Sequence, residues 1–244
     1  MNIPASDARA EVVSMIQKGE VERLRQWLAE DPERGAARIV DGGGTSRTLL
    51  HVVADWPGHF PRGAETVAVL IAAGADVNAP VLHTKPHLSP ETPLHWAASS
   101  DDVDVLDALL NGGADIEAPG AVFTGGPAMS DAVVFAQWKA ARRLHERGAR
   151  TTIWQAAALG LLEEVQAFCA SATPSSEEIT NAFWNACRGG QQPTAAYLLD
   201  QGADLNWIGH DHKTPLEMAQ ESGVEELVTW LRERGARARK DLAH

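Results

Sequence analysis

Cysteine is nearly missing from the sequence: Cys169 and Cys187 are the only two in 244 residues. Two thiols cannot build the disulfide framework of a small secreted domain, so a reducing, cytoplasmic setting is the expectation. No apolar run is long enough to cross a bilayer. Met1 to Ala10 is polar and lacks the apolar stretch of a secretion signal. Positive charge is scarce as well, with 21 Lys and Arg against 33 Asp and Glu, a net charge of -12. Affinity for phosphate backbones comes from Lys and Arg, so neither nucleic acid nor an anionic membrane is an expected partner. The P-loop pattern GxxxxGK[ST] is missing, as are HExxH, GxSxG and CxxC. What remains is a globular composition, 44% hydrophobic and 22% charged.

A phrase recurs along the chain. GADVNAP starts at Gly74, GADIEAP at Gly113, GARTTIW at Gly148, GADLNWI at Gly202 and GARARK at Gly235. A second phrase precedes it at a fixed distance. TPLHWAA starts at Thr92, 21 residues before Gly113, and TPLEMAQ at Thr214, 21 residues before Gly235. The same offset leads from Gly148 back to PAMSDAV at Pro127, and from Gly202 back to NAFWNAC at Asn181. The copy beginning TLLHVVA at Thr48 carries five extra residues before Gly74. Each unit reads as two short helices. Proline after threonine presets the first helix entry. Small residues such as Ala97 and Ala98 allow close contact with a neighbour. The second helix has i, i+3, i+4 apolar spacing, as in Val103, Leu106, Leu109 and Leu110, and stops at Gly112-Gly113. One unit cannot bury its apolar stripe, but a stack of several can.

TPLHWAA followed by GADIEAP resembles the signature of ankyrin repeats almost letter for letter, with Thr92 to Pro119 as the best copy. The resemblance implies an all-α ankyrin-repeat solenoid of about seven helix pairs with hairpin or loop fingers. It covers nearly the whole chain as a single domain, 1–244. Residues 1–38 form an amino-terminal capping pair (helices over Ala8 to Lys18 and Val21 to Glu30, with Gly19 as the turn). Internal repeats occupy 45–213, and a capping repeat fills 214–244. Most members of this family bind proteins through the concave face and the fingers. The fold alone does not name a ligand.

Departures from the pattern point to candidate residues. Ala79 to Glu91 and Ala118 to Gly126 are long fingers, and Asp55 to Gly63 widens the turn inside its unit. Loops on a rigid scaffold are where binding residues concentrate. Aligning the units on Trp96 places Ser14, Val52, Asp131, Gln155, Asn185 and Met218 in one column. Three successive polar residues at a semi-buried column must be hydrogen-bonded or costly. One helical turn further, the aligned residues include Asp55, Trp56, Phe135 and Arg188. Asp55, Trp56, Trp96, Asp131, Phe135, Gln155, Asn185 and Arg188 would then line one concave strip, an aromatic floor with convergent polar groups. Such a strip suits a protein partner, whose anchors favour Trp and Arg, as well as a small molecule.

Of the remaining tryptophans, Trp27, Trp138 and Trp230 read as core, Trp154 and Trp184 take the position of His95, and Trp207 sits in a loop open to ligands. His51 and His95 occupy the structural histidine position of TPLH. His59, His83, His87, His210 and His212 lie in loops, and His59 and His87 join the candidate site. The pairs His83 with His87 and His210 with His212 lack cysteine partners at zinc spacing, so no metal and no cofactor is expected. Gly42 to Gly44 and Gly125 to Gly126 read as turn glycines, not phosphate cradles, because no strand precedes them. The expected function is a non-enzymatic, monomeric module that binds an unidentified protein on its concave groove. The alternative is a small-molecule-binding protein or enzyme whose acid–base groups come from Asp55, Asp131 and loop histidines.

Overall fold

Helix starts and stops are set by a few recurring side chains. Asp102 opens its helix by accepting the Val105 N–H at 3.1 Å, and Thr214 opens another in a capping box with Glu217. At the other end, Gly74, Gly113, Gly148, Gly202 and Gly235 all sit at φ between 88° and 94°. A Cβ at any of the five would touch nothing within 4 Å. The recurring glycine is therefore required by its left-handed backbone conformation and not by crowding.

The computed structural model describes residues 2–3, 7–85 and 88–242. Fourteen α-helices among them follow one another as consecutive pairs. The pairs are α1 (Asp7–Gln17) with α2 (Val21–Ala29), α3 (Leu49–Ala54) with α4 (Gly63–Ala72), and α5 (Pro93–Ser99) with α6 (Val103–Asn111). Then come α7 (Ala128–Val134) with α8 (Trp138–Glu146), α9 (Ile153–Leu159) with α10 (Leu162–Ala172), α11 (Ser176–Arg188) with α12 (Gln192–Asp200), and α13 (Pro215–Ser222) with α14 (Glu225–Glu233). No helix among the described residues is long and apolar enough to cross a membrane.

The chain divides into two compact units, Met1–Ala149 and Arg150–His244. In the first, α1, α3, α5 and α7 stack side by side, and α2, α4, α6 and α8 form a second row. Leu50, Val53, Leu70, Leu94, Leu106, Leu109, Met129 and Leu144 are buried between the rows. In the second unit, α11 stacks between α9 and α13, and α10 packs on α12. Phe183, Val165, Leu198, Leu227 and Leu231 fill its core.

The GADxN phrase acts as a clamp between neighbours. Asp76 accepts the Asn78 N–H at 2.9 Å and so shapes its own turn. Asn78 Oδ1 then accepts the Asp115 N–H at 2.8 Å, and its Nδ2 donates to the Gly113 carbonyl at 3.2 Å. Asn206 repeats the device, accepting the Arg237 N–H at 2.8 Å and donating to the Gly235 carbonyl at 3.4 Å.

Two expectations are corrected. A strand does precede Gly42 to Gly44. Strand β2 (Arg38–Val40) pairs antiparallel with β3 (Ser46–Thr48) and parallel with β1 (Asn2–Ile3). The glycines form the tip of the β2–β3 hairpin, where Asp41 Oδ1 accepts the N–H groups of Gly43 and Thr45. The run of β-branched and arginine residues there was too short to show a strand period. The second correction concerns register. Thr152 caps α9, which moves the alignment of this unit by one residue. Gln155 therefore stands at the third helical position, equivalent to His95, and Ala156 stands in the Trp96 column. Trp154 likewise falls one place before the histidine position.

Candidate functional site

The histidines of TPLH tie each first helix to the loop that follows. His51 Nδ1 accepts the Thr48 N–H at 3.2 Å, and its Nε2 bonds the Glu91 carbonyl at 3.1 Å. Burial pushes the His51 pKa down to about 3, so the ring is neutral and its Nε2–H donates. His95 does the same with Thr92 and the Gly126 carbonyl. Trp184 performs the outward half of this role in its own unit, its Nε1–H donating to the Lys213 carbonyl at 2.9 Å. Gln155 performs the inward half, accepting the Thr152 N–H at 2.8 Å. Its side chain is buried in the cap of its own helix.

These ties position three loops of the first unit around one cleft. Leu82 exchanges two hydrogen bonds with Ser46 on β3, and the Val81 N–H reaches the Glu91 carbonyl, which fixes the base of the first long finger. In the widened turn, the His59 N–H donates to Asp102 Oδ2 at 2.6 Å, and Gly58 lies against Ser100 with no room for a Cβ. The turn includes a cis Trp56–Pro57 bond. In the second long finger, the Val122 N–H donates to Asp131 Oδ1 at 3.1 Å, and Ser89 Oγ donates to the Val122 carbonyl.

The cleft between them has a volume of about 290 Å³ and is lined by Asp55, Trp56, Glu91, Trp96, Val122 and Phe135, together with the small residues Ala54, Ser99 and Ser100. Trp56 is 79% exposed, Phe123 73% and Phe135 40%. Phe123 and Phe135 touch ring to ring, with centroids 5.9 Å apart. Four of the seven exposed large hydrophobic side chains among the described residues are Trp56, Val122, Phe123 and Phe135. A patch of this kind on a folded surface marks a contact site more often than chance.

Polar groups sit between the rings. Arg47 pairs with Asp55 at 2.9 Å and lies 5.7 Å from the Trp96 ring centroid. The Trp96 indole N–H donates to the Glu91 carboxylate. Burial raises the pKa of Glu91. Burial also raises Asp55, an effect that the Arg47 charge opposes. Asp131, on α7 one turn before Phe135, is only 1% exposed, and its Oδ2 has no hydrogen-bond partner. Burial, and then repulsion from Glu91, push its pKa up to about 7.

Asp55, Trp56, Trp96 and Phe135 thus meet at this cleft, with Asp131 buried nearby. Arg47, Glu91, Val122 and Phe123 belong with them and were not singled out from the sequence. Glu91 directly precedes the helix cap at Thr92, and Val122 and Phe123 lie in APGAVFTGG, so loop length was the signal for three of the four. Of the other candidates, His59 is exposed and held by its backbone, and His87 lies outside the described residues.

In the second unit, Asn185 is buried, and its Nδ2 donates to the Asn181 carbonyl and Oδ1. Arg188 is half-buried, and burial lowers its pKa. Trp207 is half-buried beside His210, whose ring also meets Trp184 edge-on, centroids 5.6 Å apart. A hollow of about 230 Å³ lies between Trp207, His210, Glu178 and Asn181. Trp27 and Trp230 are half-buried, with Arg34 and Arg234 lying over their rings.

Among curated proteins no match is found. Two family profiles do match: "Ankyrin repeat" over residues 91–121, and "Ankyrin repeats (3 copies)" over residues 153–241. The first span begins at Glu91 and takes in α5 and α6, and the second runs from α9 through α14. Matching profiles, consecutive helix pairs, TPLH ties and GADxN clamps agree: the chain is an ankyrin-repeat protein.

Proposed function

We propose that the chain is a binding module that holds a segment of a partner protein in the cleft of its first unit. Ankyrin repeats are in general protein–protein interaction modules. The observation that carries the reading is the group of exposed aromatic side chains, Trp56, Phe123 and Phe135, around a cleft that Trp96 also lines. Aromatic anchors in desolvated pockets dominate the energetics of protein interfaces. The widened turn presents Trp56, the second long finger Phe123 and the end of α7 Phe135, and hydrogen bonds at their bases reduce the ordering required when a partner docks.

The acid–base reading finds less support in the geometry. Asp55 is held in an ion pair with Arg47, and Asp131 is buried with one oxygen committed to the Val122 amide. His59 is oriented through its backbone toward Asp102.

The test is selection of binders from a random-peptide library against the full-length chain. Trp56 is so exposed that Trp56→Ala should leave stability within about 0.5 kcal/mol. The selected peptides should nonetheless lose about tenfold or more in affinity for that variant. Peptides that bind Trp56→Ala and the native chain equally well would place the docking site elsewhere.

A further inference from the structure

We propose that the side chain the cleft takes from its partner segment is basic, a lysine or an arginine. This rests on the docking reading above and adds the chemistry of the anchor. The charges around the cleft do not balance. Arg47 and Asp55 neutralise each other at 2.9 Å. Glu91 has no ion pair among the described residues; its carboxylate receives only the Trp96 indole N–H. Asp131 is buried, one of its oxygens has no partner at all, and Glu91 repels it. Glu91 is therefore a carboxylate on the cleft wall that no cation among the described residues pairs with, and the carboxyl of Asp131 lies buried beside it.

The walls have the matching property. The faces of Trp56, Trp96 and Phe135 carry the negative lobe of the ring quadrupole, which attracts ammonium and guanidinium groups. The chain already uses this attraction at the same place, where Arg47 lies over Trp96. An apolar anchor would bury Glu91 further and leave its charge uncompensated, which costs free energy. An acidic anchor would meet Glu91 directly. A lysine or arginine stem can pack its methylenes on the rings and bring its charge to Glu91. The net charge of -12 also draws a basic segment toward the chain.

Peptides selected against the full-length chain decide the matter. Those whose binding depends on Trp56 should share a lysine or arginine at one position. Replacing that residue with norleucine, which keeps the stem and removes the charge, should weaken binding about tenfold. Glu91→Gln keeps an acceptor for the Trp96 indole and should weaken the same peptides severalfold. Trp56-dependent peptides that lack a recurring basic residue, or that bind equally well with norleucine, would overturn the basic anchor and leave the docking site standing. A library that yields only Trp56-independent binders would overturn both. The norleucine comparison needs no variant of the protein, so a Glu91→Gln chain that failed to fold would leave the outcome decidable.

Discussion

Asp131 is a carboxylate where its column ordinarily places an apolar or aromatic side chain, as at Val52, Trp96 and Met218. It accepts one backbone N–H and leaves its second oxygen buried and unpaired. Its pKa of about 7 lies above the value of about 3.9 for a carboxylate in an unfolded chain. Between those two values the folded state keeps a proton that the unfolded state has lost. The stability that Asp131 contributes therefore declines as pH rises from about 4 to 7, by up to about 1.4 kcal/mol per pH unit. Asp131→Asn keeps an acceptor for Val122 and cannot ionise. The melting temperature of the variant should gain on that of the native chain as pH rises across this window. A constant difference between them would mean that Asp131 does not titrate there. His51 works in the opposite sense: its pKa is depressed to about 3, so the stability it contributes is lost as pH falls below about 6.5.

At the scale of elements, a short list of side-chain bonds to backbone adds to the helix packing that joins one repeat to the next. Asn78→Ala removes two bonds to the following turn. It should cost about 1–2 kcal/mol, read as a lower denaturation midpoint with an unchanged slope. Asn206→Ala should behave alike, because its two bonds have the same geometry. A neutral effect at both positions would mean that the clamp adds nothing beyond helix packing. These elements were legible in the sequence because they repeat: the fixed offset from Thr92 to Gly113 located helix, turn and helix without reference to structure. Where the repeat broke down, the reading failed. TTIWQAA offers two threonines, and only the cap geometry shows that Thr152 is the one used. The β2–β3 hairpin lies outside the repeat and depends on long-range partners, with Arg38 donating to the carbonyls of Ser46 and Pro80. The candidate site was half legible. Trp56, Trp96 and Phe135 could be aligned by column, while Glu91 and Phe123 are brought in by fingers whose path no local pattern sets.

For the molecule as a whole, the excess of acidic residues is the property that acts at longest range. If the partner segment is basic, association should slow and affinity should fall as salt rises, because screening shortens the reach of the field to about 8 Å at physiological ionic strength. Stopped-flow association of a selected peptide at several salt concentrations reads this directly. A rate that did not change with salt would show that charge plays no part in the encounter. Within each unit, stability should follow from neighbour contacts along the stack, so a substitution in the cleft of the first unit should leave the core around Phe183 undisturbed.

Whether a partner segment docks on the loops of the first unit can be read from amide hydrogen exchange with and without a selected peptide. Docking there should add protection in residues 55–63, in residues 118–126 and at the amides of α5 and α7. Protection confined to residues 153–241, with none in those loops, would contradict it.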